Sequence, residues 1–252
     1  KSNKSKNNLD WMIENSELLV DKINFISGYK YKQIQDSYPD LNFLHNSEWK
    51  TTKSGYSFVK YLQDFESECI VSYSDIIFHN YVLKSILEKN ADIVIGTDKN
   101  WLHRYNKRPL KDIKIAEKVS LINGKVVKIS NQLELNSTSS EFIGLVKFST
   151  KALKKIQFWK SQYDKNFFKQ FNLINLINLL IKEGHKIVEV DARRGWAEMN
   201  YSFDLARFIL GTKADTLNNL SGIIKKSKIL KQVSFYVHSW EANNEYYINK
   251  IK

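Results

Sequence analysis

Between residues 22 and 96, short apolar runs alternate with helical stretches of about a dozen residues, and this alternation constrains the fold more than any other feature of the chain. The runs at 22–28, 41–45, 69–78 and 92–96 read as strands. The segments around 31–37, 54–62 and 82–87 carry apolar residues at helical spacing. Pro39 stops one of these helices, and Ser54 or Gly55 opens the next. Ahead of them, Asn8 reads as the cap of a helix bearing Leu9, Met12 and Ile13. Strands alternating with helices in this way predict a mainly parallel sheet covered on both faces.

The pattern changes after residue 100. The runs 118–122 and 125–129 flank Asn123-Gly124, a strong signal for a hairpin with a type I′ turn. A strand over 141–148, a helix from Ser149, a longer helix over 164–183 ended by Gly184 and a strand over 185–190 follow. The expected fold is therefore a three-layer α/β/α, Rossmann-like arrangement. Its sheet is mixed but mainly parallel, with a β-hairpin insertion.

At 252 residues the chain suits one large domain, or one domain and an appendage. No run approaches the roughly 18 apolar residues of a membrane span, so a cytoplasmic protein is expected. The single cysteine, Cys69, lies inside an apolar run and excludes an internal disulfide or a cysteine-cluster metal site. The net charge of +12 raises the question of nucleic acid. The lysines are spread along the whole chain, however, and only 5 arginines accompany them, which argues against a nucleic-acid face. The chain begins with Lys rather than Met, and a piece of a longer protein is the expectation.

Chemistry concentrates at two junctions. Ser72, Tyr73, Ser74 and Asp75 end the apolar run that starts at Cys69, at the edge where open α/β sheets place ligands. No Lys or Arg occurs in the five residues after Asp75, so its carboxylate suits a divalent cation on a phosphate-bearing substrate. A turn or helix-cap role is the competing reading. The second junction is the run from Gly195 to Leu205, where Glu198 and Asn200 offer oxygen ligands to the same cation and a capped helix is the competing reading. The five histidines, His45, His79, His103, His185 and His238, show no metal-binding spacing.

Taken in order, the Ser74-Asp75 strand end, the run 92–95, Trp101, Tyr105 and Arg108, then Glu141 to Gly144, then Trp196 to Asn200 and Asp204-Leu205 resemble bacterial nucleotidyltransferases of the sugar-1-phosphate and phosphocholine cytidylyltransferase type. The resemblance covers roughly residues 9–210, taken as one nucleotidyltransferase-like domain. It implies a nucleotide-diphospho-sugar transferase-like fold and transfer of a cytidylyl group from CTP to a small phosphorylated or phosphonylated metabolite, with release of pyrophosphate. It also implies Mg²⁺ held by Asp75 with Asn200 or Glu198, and an acceptor anion met by Arg108. Trp101, Tyr105 and Glu141 would then shape the substrate pocket, and Asn46, Trp49 and Ser57 would line the nucleotide cleft. Two features depart from the family. Its opening strand and glycine-rich, phosphate-cradling loop have no counterpart ahead of Leu9, and Asn200 stands where an aspartate is usual.

Beyond residue 210 the pattern shifts once more. A helix, a strand over 232–237 and a helix over 240–251 resemble the junction by which such domains are fused to a PEP/pyruvate-binding phosphotransferase domain. The alternative to an enzyme is a non-catalytic docking module of that fold within a larger phosphotransferase protein.

Overall fold

The computed structural model describes residues 7–65, 67–105, 108–164, 166–201, 203–205, 208 and 248. It divides into two compact units, residues 1–198 and 199–252. In chain order, the first unit contains α1 (Asn8–Ser16), β1 (Asn24–Ser27), α2 (Tyr31–Ser37), β2 (Asn42–His45), α3 (Ser54–Lys60), β3 (Cys69–Ser72), β4 (Ile76–Phe78), α4 (Asn80–Leu87) and β5 (Ile93–Asp98). It continues with α5 (Leu110–Ile115), β6 (Lys118–Ile122), β7 (Lys125–Ser130), β8 (Ser140–Phe148), α6 (Thr150–Gln162), α7 (Leu173–Lys182), β9 (Ile187–Asp191) and β10 (Trp196–Glu198).

The central sheet runs β7-β6-β8-β5-β9, with β3 joining β8 beyond the point where β6 leaves it. The sheet is mixed. The parallel pairing expected from strand–helix alternation is present in β5–β9 and in the separate β1–β2 pair. β8 runs antiparallel to β3, β5 and β6. The reason is connectivity, since β8 enters the sheet from the hairpin rather than from a crossover helix. The hairpin forms where Asn123-Gly124 predicts it, with φ of 50° and 71° at the two turn residues.

Helices cover both faces. Beneath one face, Phe58, Leu62, Ile156, Trp159, Leu176 and Leu180 pack with the inward side chains of β5 and β8. Beneath the other, Val82, Leu83 and Ile86 of α4 pack with Val94, Leu145 and Val190. Each such side chain contributes about 1.5–3 kcal/mol of burial. α7 has the clearest apolar stripe, with Leu173, Ile174, Leu176, Ile177 and Leu180 all buried.

Three sequence expectations change. The first helix is capped by Asn7 rather than Asn8, because the Asn7 side chain accepts the Leu9 and Asp10 N–H groups while the Asp10 carboxylate accepts the Asn7 N–H. The helix expected over 164–183 begins only at Leu173. Asn172 and Asn175 form a reciprocal cap there, and Tyr163, Phe167, Phe168 and Phe171 stack together in the turns before it. The run 69–78 is two strands in different sheets, β3 and β4, so Asp75 lies in the turn between them rather than at the end of one strand. Of the elements expected beyond residue 210, nothing but position 248 lies within the described residues. No helix among the described residues is long and apolar enough to cross a membrane.

Candidate active site

The turn that separates β3 from β4 places Asp75 immediately before β4. β4 pairs antiparallel with β10, and the register sets Glu198 opposite Ile76. Two carboxylates far apart in sequence therefore meet at one end of a short ribbon. Asp75 is exposed to solvent on its outer side. Protein crowding on its inner side, and then the Glu198 charge, raise its pKa above the usual carboxylate value.

Behind this pair stands a cation. Arg104 follows the 3₁₀ turn Trp101–His103, and its Nη2 lies 2.7 and 2.8 Å from the two Glu141 oxygens, while its Nη1 is 3.1 Å from Glu198 Oε2. The guanidinium also stacks over the rings of Tyr105, at 4.7 Å, and Trp196, at 4.4 Å. Glu141 is 3% exposed and accepts the Tyr105 hydroxyl as well. Burial, the largest single influence, lowers the arginine's pKa, but the charge and hydrogen bonds of Glu141 together with Tyr105 and the Glu198 charge outweigh it and hold the pKa raised, so Arg104 is a fixed cation. Trp196 is itself anchored, its Nε1–H donating to Asp98 at 3.1 Å.

The third component is Tyr73 with Glu117. Gly144 has φ of 79°, and a Cβ there would lie 2.4 Å from the Tyr73 ring. The glycine thus permits both the bend in β8 and the seating of Tyr73 on it. The Tyr73 hydroxyl reaches the Glu117 oxygens at 3.0 and 3.2 Å. Burial, reinforced by the charges of Glu141, Glu198 and Asp75, pushes the Glu117 carboxyl up to about 7 against the opposing pull of that hydrogen bond. The four carboxyl groups, Asp75, Glu117, Glu141 and Glu198, share one electrostatic field with Arg104 within it.

The residues singled out from the sequence fall into four groups. Asp75, Glu198, Glu141 and Tyr105 belong to this cluster, and Trp101 packs edge-on against Tyr105, 5.5 Å between ring centres. Arg108 is buried beside the outer part of the same cluster, 5.6 Å from the Tyr105 ring centre, while Arg104 makes the carboxylate contacts. Asn46, Trp49 and Ser57 lie at the β2 end. There the Asn46 amide donates to Thr52 and Ser57 and accepts the Glu48 N–H, and Trp49 packs against Tyr29. Asn200 belongs to the second unit, where its N–H and that of Tyr201 donate to the Asp204 carboxylate at 3.1 and 2.8 Å.

Sequence reasoning missed Arg104 and Glu117. A clue to Arg104 existed, because an arginine in a lysine-rich chain suggests a site where a planar, two-pronged donor is needed. For Glu117 there was none, as only the pairing of β6 with β8 brings it to Tyr73. Among the described residues, no group of three or more His, Cys, Asp and Glu side chains is arranged to enclose a metal by itself. Asp75 and Glu198 fit the lesser demand of Mg²⁺, which takes one or two carboxylates and completes its shell with water and phosphate oxygens.

No protein-family profile matches the chain. It is 24% identical over 220 residues to the CTP:phosphoglutamine cytidylyltransferase of Campylobacter jejuni, spanning 80% of this chain and 87% of that protein. The inositol-1-phosphate CTP transferase of T. maritima superposes with a TM-score of 0.61 at 15% identity, over 81% of this chain and 83% of that one. The CTP:phosphocholine cytidylyltransferase of Streptococcus pneumoniae does so with a TM-score of 0.53 at 15% identity, over 82% of this chain and 85% of that one. The chain has a nucleotide-diphospho-sugar transferase-like fold, and its similarities in sequence and structure are to nucleotidyltransferases of the cytidylyltransferase type.

Proposed function

We propose that the protein transfers a cytidylyl group from CTP to a small phosphorylated metabolite, releasing pyrophosphate. The meeting of Asp75 and Glu198 at the end of the β4–β10 ribbon carries the reading, with the similarity to cytidylyltransferases in support. The two carboxylates would hold Mg²⁺, which when bound supplies positive charge against the phosphate oxygens. Arg104 fixes Glu198 from behind, so one carboxylate is positioned by a buried ion pair while Asp75 remains accessible. Tyr105, Trp101 and Trp196 form an aromatic wall that orients the acceptor and excludes water, a contribution of positioning rather than of bond-making. Arg108 is a candidate for the acceptor's anion. Asn46, Trp49 and Ser57 are proposed for the nucleotide side. The free thiol of Cys69 and the phosphorylated substrates suit a cytoplasmic setting.

The test is pyrophosphate release with CTP, Mg²⁺ and a panel of phosphorylated acceptors, using the chain as its reading frame encodes it. Asp75→Asn and Glu198→Gln should each lower turnover at least 100-fold while leaving the fold intact. Undiminished turnover in Asp75→Asn would overturn the site. Faster release with another nucleoside triphosphate would overturn the preference for CTP.

A further inference from the structure

Tyr105, Glu141, Trp196 and Glu198 come from three separate segments and enclose one positive charge. The 3₁₀ turn Trp101–His103 leads directly into Arg104 and Tyr105, the start of β8 supplies Glu141, and β10 supplies Trp196 and Glu198. Trp196 and Glu198 stand two positions apart on a strand, so the indole and the carboxylate share one face of β10. The enclosed charge is the Arg104 guanidinium. Its ring centres lie at 4.4 Å for Trp196 and 4.7 Å for Tyr105, and its carboxylate oxygens at 2.7 and 2.8 Å for Glu141 and 3.1 Å for Glu198.

Two aromatic rings and two carboxylates around a cation are the contacts by which a protein holds the ammonium group of a ligand. Here the chain supplies the cation itself. The box is closed around it, for Tyr105 and Trp196 are each 5% exposed and the Arg104 side chain 11%. A ligand cation would enter only by displacing a guanidinium that is tethered beside the box, and so would compete against the effective concentration that the short tether sets. Arg108 places a second guanidinium 5.6 Å from the Tyr105 ring centre. The aromatic wall therefore has two arginine cations on it already, and a third positive charge brought beside them is repelled.

We infer that Arg104 is the built-in occupant of a cation-binding box and that it thereby sets the class of acceptor. That class is a phosphate monoester whose remaining groups are uncharged or anionic, to the exclusion of amino and quaternary ammonium esters. The occupied box stands on the contacts of Arg104 alone. Its bearing on the acceptor rests on the cytidylyl-transfer reading, in which Trp101, Tyr105 and Trp196 form the wall that the acceptor meets. Arg104 is then a specificity-determining residue, and replacing it changes which acceptor is preferred as well as how stable the chain is.

Two measurements test it on the chain as its reading frame encodes it. The first compares phosphocholine with neohexyl phosphate, the carbon isostere that has its shape and lacks its positive charge. Each is offered as acceptor with CTP and Mg²⁺, and as a ligand followed by tryptophan fluorescence. A vacant box would favour phosphocholine at least tenfold, whereas with Arg104 in place the isostere should be bound and used at least as well. In Arg104→Ala the ratio should move at least tenfold toward phosphocholine, a change of preference that a merely structural role would not produce. A preference for phosphocholine in the parent chain, or an unchanged ratio in the variant, would overturn the inference. The second measurement titrates Arg104→Ala with millimolar guanidinium chloride against sodium chloride at equal ionic strength. The free ion should re-enter the box and raise the Tm of the variant saturably while leaving the parent unchanged. No rise, or an equal rise in both chains, would overturn the inference. The comparison of the two esters on the parent chain needs no variant, so it decides the matter if Arg104→Ala does not fold. The guanidinium titration needs no turnover, so a lack of pyrophosphate release with every acceptor counts against the cytidylyl-transfer reading and not against the occupied box.

Discussion

At the scale of single residues, Glu117 gives the clearest pH signature. Its carboxyl titrates at about 7 in the folded chain, against about 4.3 when unfolded, so between those values the folded state holds a proton that the unfolded state has released. Stability should therefore fall as pH rises through that window and level off above it, by a few kcal/mol at most. Glu117→Gln should flatten this fall in urea titrations of the metal-free chain between pH 4.5 and 8. Arg104 gives a second test. Removing it would leave Glu141 buried without its cation, so Arg104→Ala should cost about 3–5 kcal/mol of unfolding free energy. Asp75→Asn should stay within about 0.5 kcal/mol of the parent, because that side chain is exposed and sheds its repulsion with Glu198.

At the scale of elements, two glycines separate backbone strain from packing. Gly144, in β8, and Gly124, in the β6–β7 turn, both have left-handed φ, 79° and 71°. A Cβ at Gly124 would meet nothing within 4 Å, whereas at Gly144 it would collide with the Tyr73 ring. Gly124→Ala should cost about 1–2 kcal/mol, the strain of the backbone conformation alone. Gly144→Ala should cost about 2–5 kcal/mol, strain and overpacking together, and should displace the Tyr73 hydroxyl from Glu117. Chemical denaturation checks the energies. The fluorescence or ring NMR signals of Tyr73 check the displacement.

For the whole molecule, a bound cation couples to stability. If Asp75 and Glu198 hold Mg²⁺, then Mg²⁺ at ten times its dissociation constant should stabilise the chain by about 1.4 kcal/mol, seen as a rise in Tm. Asp75→Asn should abolish that rise without lowering the metal-free Tm, and Glu198→Gln should abolish it from a metal-free Tm lowered by loss of the Arg104 ion pair. A rise that survives in both variants would place the cation elsewhere.

Much of the fold was legible in local signals. Asn123-Gly124 determined the hairpin, Ser149 the start of α6, Gly184 the end of α7, and apolar periodicity the positions of α3 and α4. Asp75 and Glu198 were also visible, because a carboxylate at a strand–turn junction is a feature of a few consecutive residues. Some of what local signals suggested was wrong in detail. The polar Ser72-Tyr73-Ser74-Asp75 interrupts the run 69–78, but nothing local shows that β3 and β4 on its two sides join different sheets, because only their partners β8 and β10 distinguish them. The Arg104–Glu141 pair and the Tyr73–Glu117 pair were beyond reach for the same reason. Their members stand 37 and 44 positions apart, and hydrogen bonds at such separations follow from strand register, which no short window of sequence encodes. The sequence by itself determined most of the strands and helices, because their apolar periodicity, caps and turn residues are local. The tertiary structure decided which carboxylates share one electrostatic field, because that depends on how β8 and β10 are inserted beside strands distant from them in the chain.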